Sequence, residues 1–163
     1  MGSGNKGLYS GTYGSKAVPG STDYMEPDDS FSKYIKNRKD IDSNGFYDII
    51  AHGSPTTIQI QHNGVTIDID HRVAAKLFSQ DKNYHGGAIR LLSCDTGKLD
   101  LGFAQNLANK LNIPVQAPTE LLWAKPYGHH YVTGGKWVNG KLVEDFSKKG
   151  KMKTFYPQRR KKK

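Results

Sequence analysis

Two apolar strands, each running into a loop that carries a chemically versatile side chain, constrain this chain more than any other feature. Tyr47-Asp48-Ile49-Ile50-Ala51 ends in His52-Gly53, and Ala88-Ile89-Arg90-Leu91-Leu92-Ser93 ends in Cys94-Asp95-Thr96-Gly97. Short, nearly continuous apolar runs with helix-periodic sequence between them read as strands of a parallel sheet covered on both faces. Sites in such sheets form outside the carboxyl ends of the strands. His52 and Cys94, the chain's only cysteine, are therefore expected along one edge of the sheet.

The remaining punctuation fits an α/β domain. Asp28-Asp29-Ser30 offers N-cap side chains before Phe31, Tyr34 and Ile35, which recur at helical spacing, and this helix is expected to fade near Arg38. Asp42-Ser43-Asn44-Gly45 reads as a turn before the strand from Tyr47. Thr57-Ile58-Gln59-Ile60 and Val65-Thr66-Ile67-Asp68-Ile69 flank His62-Asn63-Gly64, the pattern of a hairpin whose turn needs positive φ. Asp70 caps a helix through about Ser79 with Val73, Ala74, Leu77 and Phe78 inward, and Gly86-Gly87 frees the chain into the strand ending at Cys94. A further helix is expected from Asp100, with Phe103, Leu107, Ala108 and Leu111 as its stripe and Asn112 as its stop, before a strand at Pro114-Val115-Gln116-Ala117. From Trp123 onward the short β-like runs predict a small antiparallel extension. The division expected is an extended arm or linker over 1–27, an α/β domain over 28–147 and a basic tail over 148–163. Met1-Gly2-Ser3-Gly4 reads as a linker, as if the domain were one part of a longer protein.

At 163 residues the chain suffices for one core without disulfides or metal. Its net charge of +9 is concentrated: residues 148–163 hold nine of the 24 Lys and Arg and no acid. That tail is expected to be a solvated end or, alternatively, a salt-sensitive contact for nucleic acid or an acidic partner. No apolar run reaches membrane-spanning length, so no membrane span is expected.

A cysteine nucleophile needs a thiolate, and an adjacent imidazole takes the proton and later returns it to a leaving amine. The glycine after His52 lets backbone approach a substrate carbonyl, and the amides of Gly53 and Cys94 are the candidate oxyanion donors. A helix opening near Asp100 would add a modest favourable field. The plain alternative is that Cys94 is a small core residue and His52-Gly53 a turn. His129-His130 reads as a loop or the start of a strand rather than a metal site, because no Cys or acid sits nearby at ligand spacing. No cofactor is expected, since no glycine-rich phosphate loop is present.

The order of strand, Ala51-His52-Gly53, Asn-Gly hairpin, helix, strand, Ser93-Cys94, helix and strand resembles the caspase-like fold of caspases, gingipains, legumains and toxin self-processing proteases. The resemblance covers roughly residues 45–118. It implies Cys94 as nucleophile, His52 as general acid/base and the Gly53 amide as an oxyanion donor, with no orienting carboxylate required. Asp95, Trp123 and Tyr127 are the candidates for walls of a substrate pocket.

The stretch from Arg90 to Trp123, with Leu-Leu-Ser-Cys-Asp-Thr-Gly, Phe-Ala-Gln-Asn-Leu-Ala-Asn and Ala-Pro-Thr, is similar to C-terminal toxin domains of bacterial polymorphic toxins. This second resemblance implies a secreted effector acting on protein substrates in a target cell's cytosol, with a cognate immunity protein as partner. Two alternatives stand beside it. One is a nuclease or other nucleotide-directed toxin using a histidine and the basic tail. The other is a caspase-like binding module without turnover.

Overall fold

The computed structural model describes residues 16–18, 20–42 and 45–158; the expected turn at Ser43-Asn44, most of the expected arm and the last five basic residues lie outside these. A six-stranded mixed sheet organises the fold in the order β1 (Lys16–Val18), β2 (Ser21–Asp23), β3 (Tyr47–Ile50), β6 (Ile89–Leu92), β7 (Val115–Pro118) and β11 (Met152–Phe155). The four central strands are parallel, and both edge strands are antiparallel to their neighbours. The expectation of a mainly parallel sheet thus holds for the centre only.

Period-two alternation sends the side chains of the central strands to two different layers. Ile49, Ala51, Ile89, Leu91, Val115 and Ala117 join the larger core. There they meet α2 (His71–Gln80) and α3 (Phe103–Leu111) through Phe78, Phe103 and Leu107, together with the hairpin of β4 (Ile58–His62) and β5 (Val65–Ile69). Asn63 and Gly64 take the expected positive φ values of 52° and 77° at its turn. Asp70 caps α2 by accepting from the amides of Arg72 and Val73, as its sequence position requires. The third helix starts at Phe103 behind Gly102, not at Asp100, and ends at left-handed Asn112 as expected.

The opposite layer is smaller. Ile50 and Leu92 pack against Ile35 of α1 (Ser30–Ile35), Met25, and Leu122 of β8 (Leu121–Ala124). From β8 the chain continues through β9 (His130–Val138) and β10 (Lys141–Lys149), which complete an antiparallel sheet in the order β10-β9-β8. This is the extension that the sequence pattern led us to expect.

Two boundaries differ from the sequence reading. Residues 16–18 and 21–23, placed in an arm, are strands of the main sheet, and residues 152–155, placed in a tail, form its other edge. The strand Ser21-Thr22-Asp23 carries no apolar alternation because its polar side chains are satisfied inside the fold. Ser21 accepts from Arg38, Thr22 meets Asp81 and Tyr47, and Asp23 accepts from Ser32 and from the Met25 amide. In β11 the anchor is Phe155, buried opposite Val115 within a basic run.

Candidate functional site

The parallel pairing of β3 with β6 matches Ile49 to Leu91 and Ile50 to Leu92, and the Ala51 amide extends the ladder by donating to Leu92 O at 3.4 Å. His52 and Cys94 are the residues that follow at the same level on the two neighbouring strand ends. Both turn to the α1 layer: Cys94 packs against the cluster of Ile50, Leu92 and Leu122, and His52 reaches the first residue of the α1 cap. Adjacent strands lie about 4.8 Å apart, so the topology brings imidazole and thiol to one edge, as the sequence led us to expect.

The side chain that sequence reasoning did not assign to the site is Asp29. One carboxylate oxygen caps α1 by accepting from the Ser32 amide at 3.2 Å; the other lies 2.6 Å from His52 Nε2. Partial burial pushes the Asp29 carboxyl up, but the His52 contact and the cap amides outweigh it and leave its pKa lowered. With Nε2–H donated to this carboxylate, Nδ1 is the ring nitrogen left as a base. The only signal in the sequence was the N-cap itself, since a carboxylate that uses one oxygen for the cap keeps a second for another partner.

Gly53 stands where a side chain has no room. A Cβ there would come within 2.8 Å of both Cys94 O and Thr96 Cγ2. The bonds that clamp this turn run from Gln59 N to His52 O and from Ser54 N to Thr57 O, so the Gly53 N–H takes no part in that bridge. It is a backbone donor beside the nucleophile candidate.

The thiol itself is held in reserve. The Leu122 amide donates to Cys94 Sγ at 3.3 Å, and the thiol donates to Leu122 O at 3.7 Å. Burial pushes the Cys94 pKa up, the neighbouring Asp95 charge adds to this, and the Leu122 amide offsets part of it. A raised pKa means a protonated thiol at neutral pH, the reverse of a preformed thiolate. The helix expected from Asp100 begins at Phe103, and the Ala104 amide in its first turn donates to Thr96 O at 3.1 Å, two residues beyond Cys94.

The three expected wall residues are scattered. Asp95 adopts φ 63° next to the thiol, donates its amide to Glu120 O at 3.0 Å, and has its carboxyl pKa raised by burial. Trp123 donates its indole N–H to Thr133 O at 3.0 Å, which turns it onto β9. Tyr127 is exposed and lines a cleft of about 490 Å³ with Asp40, His129 and His130. That cleft sits by the amino ends of the strands, at the edge of a buried charge cluster. There Asp48 accepts from Arg38 and Arg90, Arg90 also reaches Asp40, and His130 Nε2 donates to Asp40 Oδ2 at 2.9 Å. His130 therefore starts a strand, as expected, and serves an ion-pair network. No group of three or more His, Cys, Asp and Glu converges as a metal site among the described residues. No helix among them is long and apolar enough to cross a membrane.

Among protein families, the model described as Domain of unknown function (DUF8616) matches residues 20–132. The matched span contains Asp29, His52, Gly53 and Cys94 and stops inside β9. No curated protein and no solved structure matches the chain.

Proposed function

The chain belongs to the DUF8616 family, and we propose that it is a cysteine peptidase of the caspase-like kind, using Cys94 and His52 on a protein substrate. The observation that carries this reading is the in-register pairing of β3 and β6, which sets His52 and Cys94 side by side while Asp29 fixes the imidazole. Cys94 Sγ attacks the peptide carbonyl as His52 Nδ1 takes its proton, and the imidazolium returns that proton to the leaving amine. The Asp29 carboxylate stabilises the imidazolium, and the Gly53 and Cys94 amides receive the oxyanion. Water then hydrolyses the acyl-enzyme with His52 as base. Because the resting thiol is protonated and held by Leu122, substrate must release it and His52 must remove its proton in the attack itself.

The polymorphic-toxin resemblance adds the setting: an effector of a secreted bacterial protein, acting in the cytosol of a target cell and neutralised in its own cell by an immunity protein. The test is expression of the full chain in cells without such a partner, beside Cys94→Ala and His52→Ala. Both variants are expected to lose toxicity while keeping the wild-type melting temperature within about 2 °C, as for partly exposed positions away from the main core. A Cys94→Ala chain that stays fully toxic sinks the peptidase. Breakdown of total RNA or DNA by that same variant would favour the nucleotide-directed alternative, and salt-sensitive binding without turnover would favour the non-catalytic module.

A further inference from the structure

We propose that the recess on β8–β10 binds single-stranded nucleic acid, independently of Cys94 and His52, by stacking bases on Tyr131 and Phe146 and by holding phosphates with the surrounding lysines. The recess has a volume of about 860 Å³, and its walls include Lys125, His129, Tyr131, Glu144, Phe146 and Lys149. Three rings follow one another along it. His129 and Tyr131 lie 5.7 Å apart at 35°, and Tyr131 and Phe146 lie 6.1 Å apart at 24°.

Phe146 is 67% exposed, so one face of this series is open to a ligand. An apolar ring left in water at the mouth of a recess is costly unless something covers it. Its placement is built into the strand pair. The β9–β10 register shifts between Asp145 and Lys149, and the Thr133 hydroxyl lies 2.8 and 3.1 Å from the carbonyl oxygens of Asp145 and Lys148. A bulge pinned in this way re-aims the side chain it carries, and here it holds Phe146 against Tyr131.

Charge selects the occupant. Between Leu121 and Phe155 the chain has seven lysines and two acids. Both carboxylates are engaged within the protein: Glu144 by Tyr131 and Lys125, Asp145 by the Ser147 amide and hydroxyl. Of these lysines, Lys125 and Lys149 line the recess, and Lys125 Nζ lies 5.8 Å from the centre of the Tyr131 ring, while Lys153 is paired with Asp100. Stacking platforms beside cationic grooves are how proteins hold single strands without reading sequence. A duplex hides its base faces, and a flat bilayer would meet the exposed hairpin end at Trp137 and Val138 before it reached rings lying in a recess.

The experiment is fluorescence anisotropy of the full chain with a labelled ten-nucleotide mixed-sequence RNA and its DNA counterpart, at salt concentrations from 50 to 200 mM. Binding is expected to weaken as salt rises, and Phe146→Ala to weaken it by about 5- to 100-fold, the usual cost of one lost stacking partner. Lys149→Gln is expected to lower the slope of log affinity against log salt by about 0.7, one phosphate contact on a single strand. Phe146 is exposed, so an unchanged melting curve will separate lost stacking from lost folding. A chain lacking residues 159–163 is expected to keep its sensitivity to Phe146→Ala. Binding that ignores Phe146→Ala but vanishes on that deletion overturns the proposal, as does equal affinity for duplex DNA or for a mononucleotide. Binding to phosphatidylserine vesicles without binding to either oligonucleotide overturns it as well.

Discussion

The two faces of the central sheet do different things with the same strands. Toward α2 and α3, β3, β6 and β7 present small and branched apolar side chains together with the ring of Tyr47, closed over by Phe78, Phe103 and Leu107. Toward α1, β3 and β6 present a charged pair at their start (Asp48 and Arg90), an apolar pair in the middle (Ile50 and Leu92), and His52 with Cys94 at their end. One face excludes water and holds the fold together. The other keeps polar groups at fixed positions at the cost of apolar burial. The proposed dyad lies on this second face, where the His52 side chain is half exposed and already paired with Asp29.

The largest break in this contrast should come from the apolar face. Phe103→Ala removes a fully buried ring and is expected to cost about 3–5 kcal/mol, read as a fall in melting temperature on the order of 10 °C. On the α1 face the comparable change is Asp48→Ala, which leaves Arg38 and Arg90 buried without the carboxylate both use. It too should cost about 3–5 kcal/mol in denaturant unfolding. If it cost nothing, the charged layer would be dispensable and the contrast between faces would fail.

A smaller effect should appear in acid. Partial burial opposes ionisation of Asp40, but Arg90 and His130 outweigh it and hold its pKa at about 2. A carboxylate depressed in this way adds stability above its unfolded value near 3.8, and that contribution disappears as pH falls toward 2. Burial and the Arg90 and Arg38 charges lower the His130 pKa, so stability on its account is lost as pH falls below about 6.5, the ordinary histidine value. Melting temperature measured from pH 7 to 2 should decline in both windows, and Asp40→Asn should flatten the lower one.

The smallest stability change with the largest functional consequence is expected at Asp29→Asn. Asparagine caps a helix as well as aspartate, so stability should move by less than about 0.5 kcal/mol. In the proposed reaction the imidazolium formed at His52 would lose its counter-charge, and the proposed peptidase activity is expected to drop at least about ten-fold. Equal activity in this variant would reduce Asp29 to a cap.

How far the sequence reached depends on where each signal was stored. The hairpin at Asn63-Gly64, the cap at Asp70 and the stop at Asn112 were legible because each is a local backbone requirement. The candidate His52 and Cys94 were legible because apolar strand runs mark where strands end. Strand Ser21-Thr22-Asp23 was not, since its partners Arg38, Asp81 and Ser32 lie 17, 59 and 9 residues away and supply what a polar strand needs. The pairing of Asp29 with His52 was equally hidden, as were the scattering of Asp95, Trp123 and Tyr127 and the bulge that sets Phe146 on Tyr131.

By itself the sequence determined the periodic elements, their order and the side chains that end the central strands, because those follow from interactions within a few residues. Only the tertiary structure decided which face each strand turned to α1, that burial would push the Cys94 pKa up against the opposing Leu122 amide, and that a helix cap would orient the histidine. Those outcomes depend on which distant groups share a buried space. Burial sets both the energy of a charge and the partners available to it, and neither is written in local spacing.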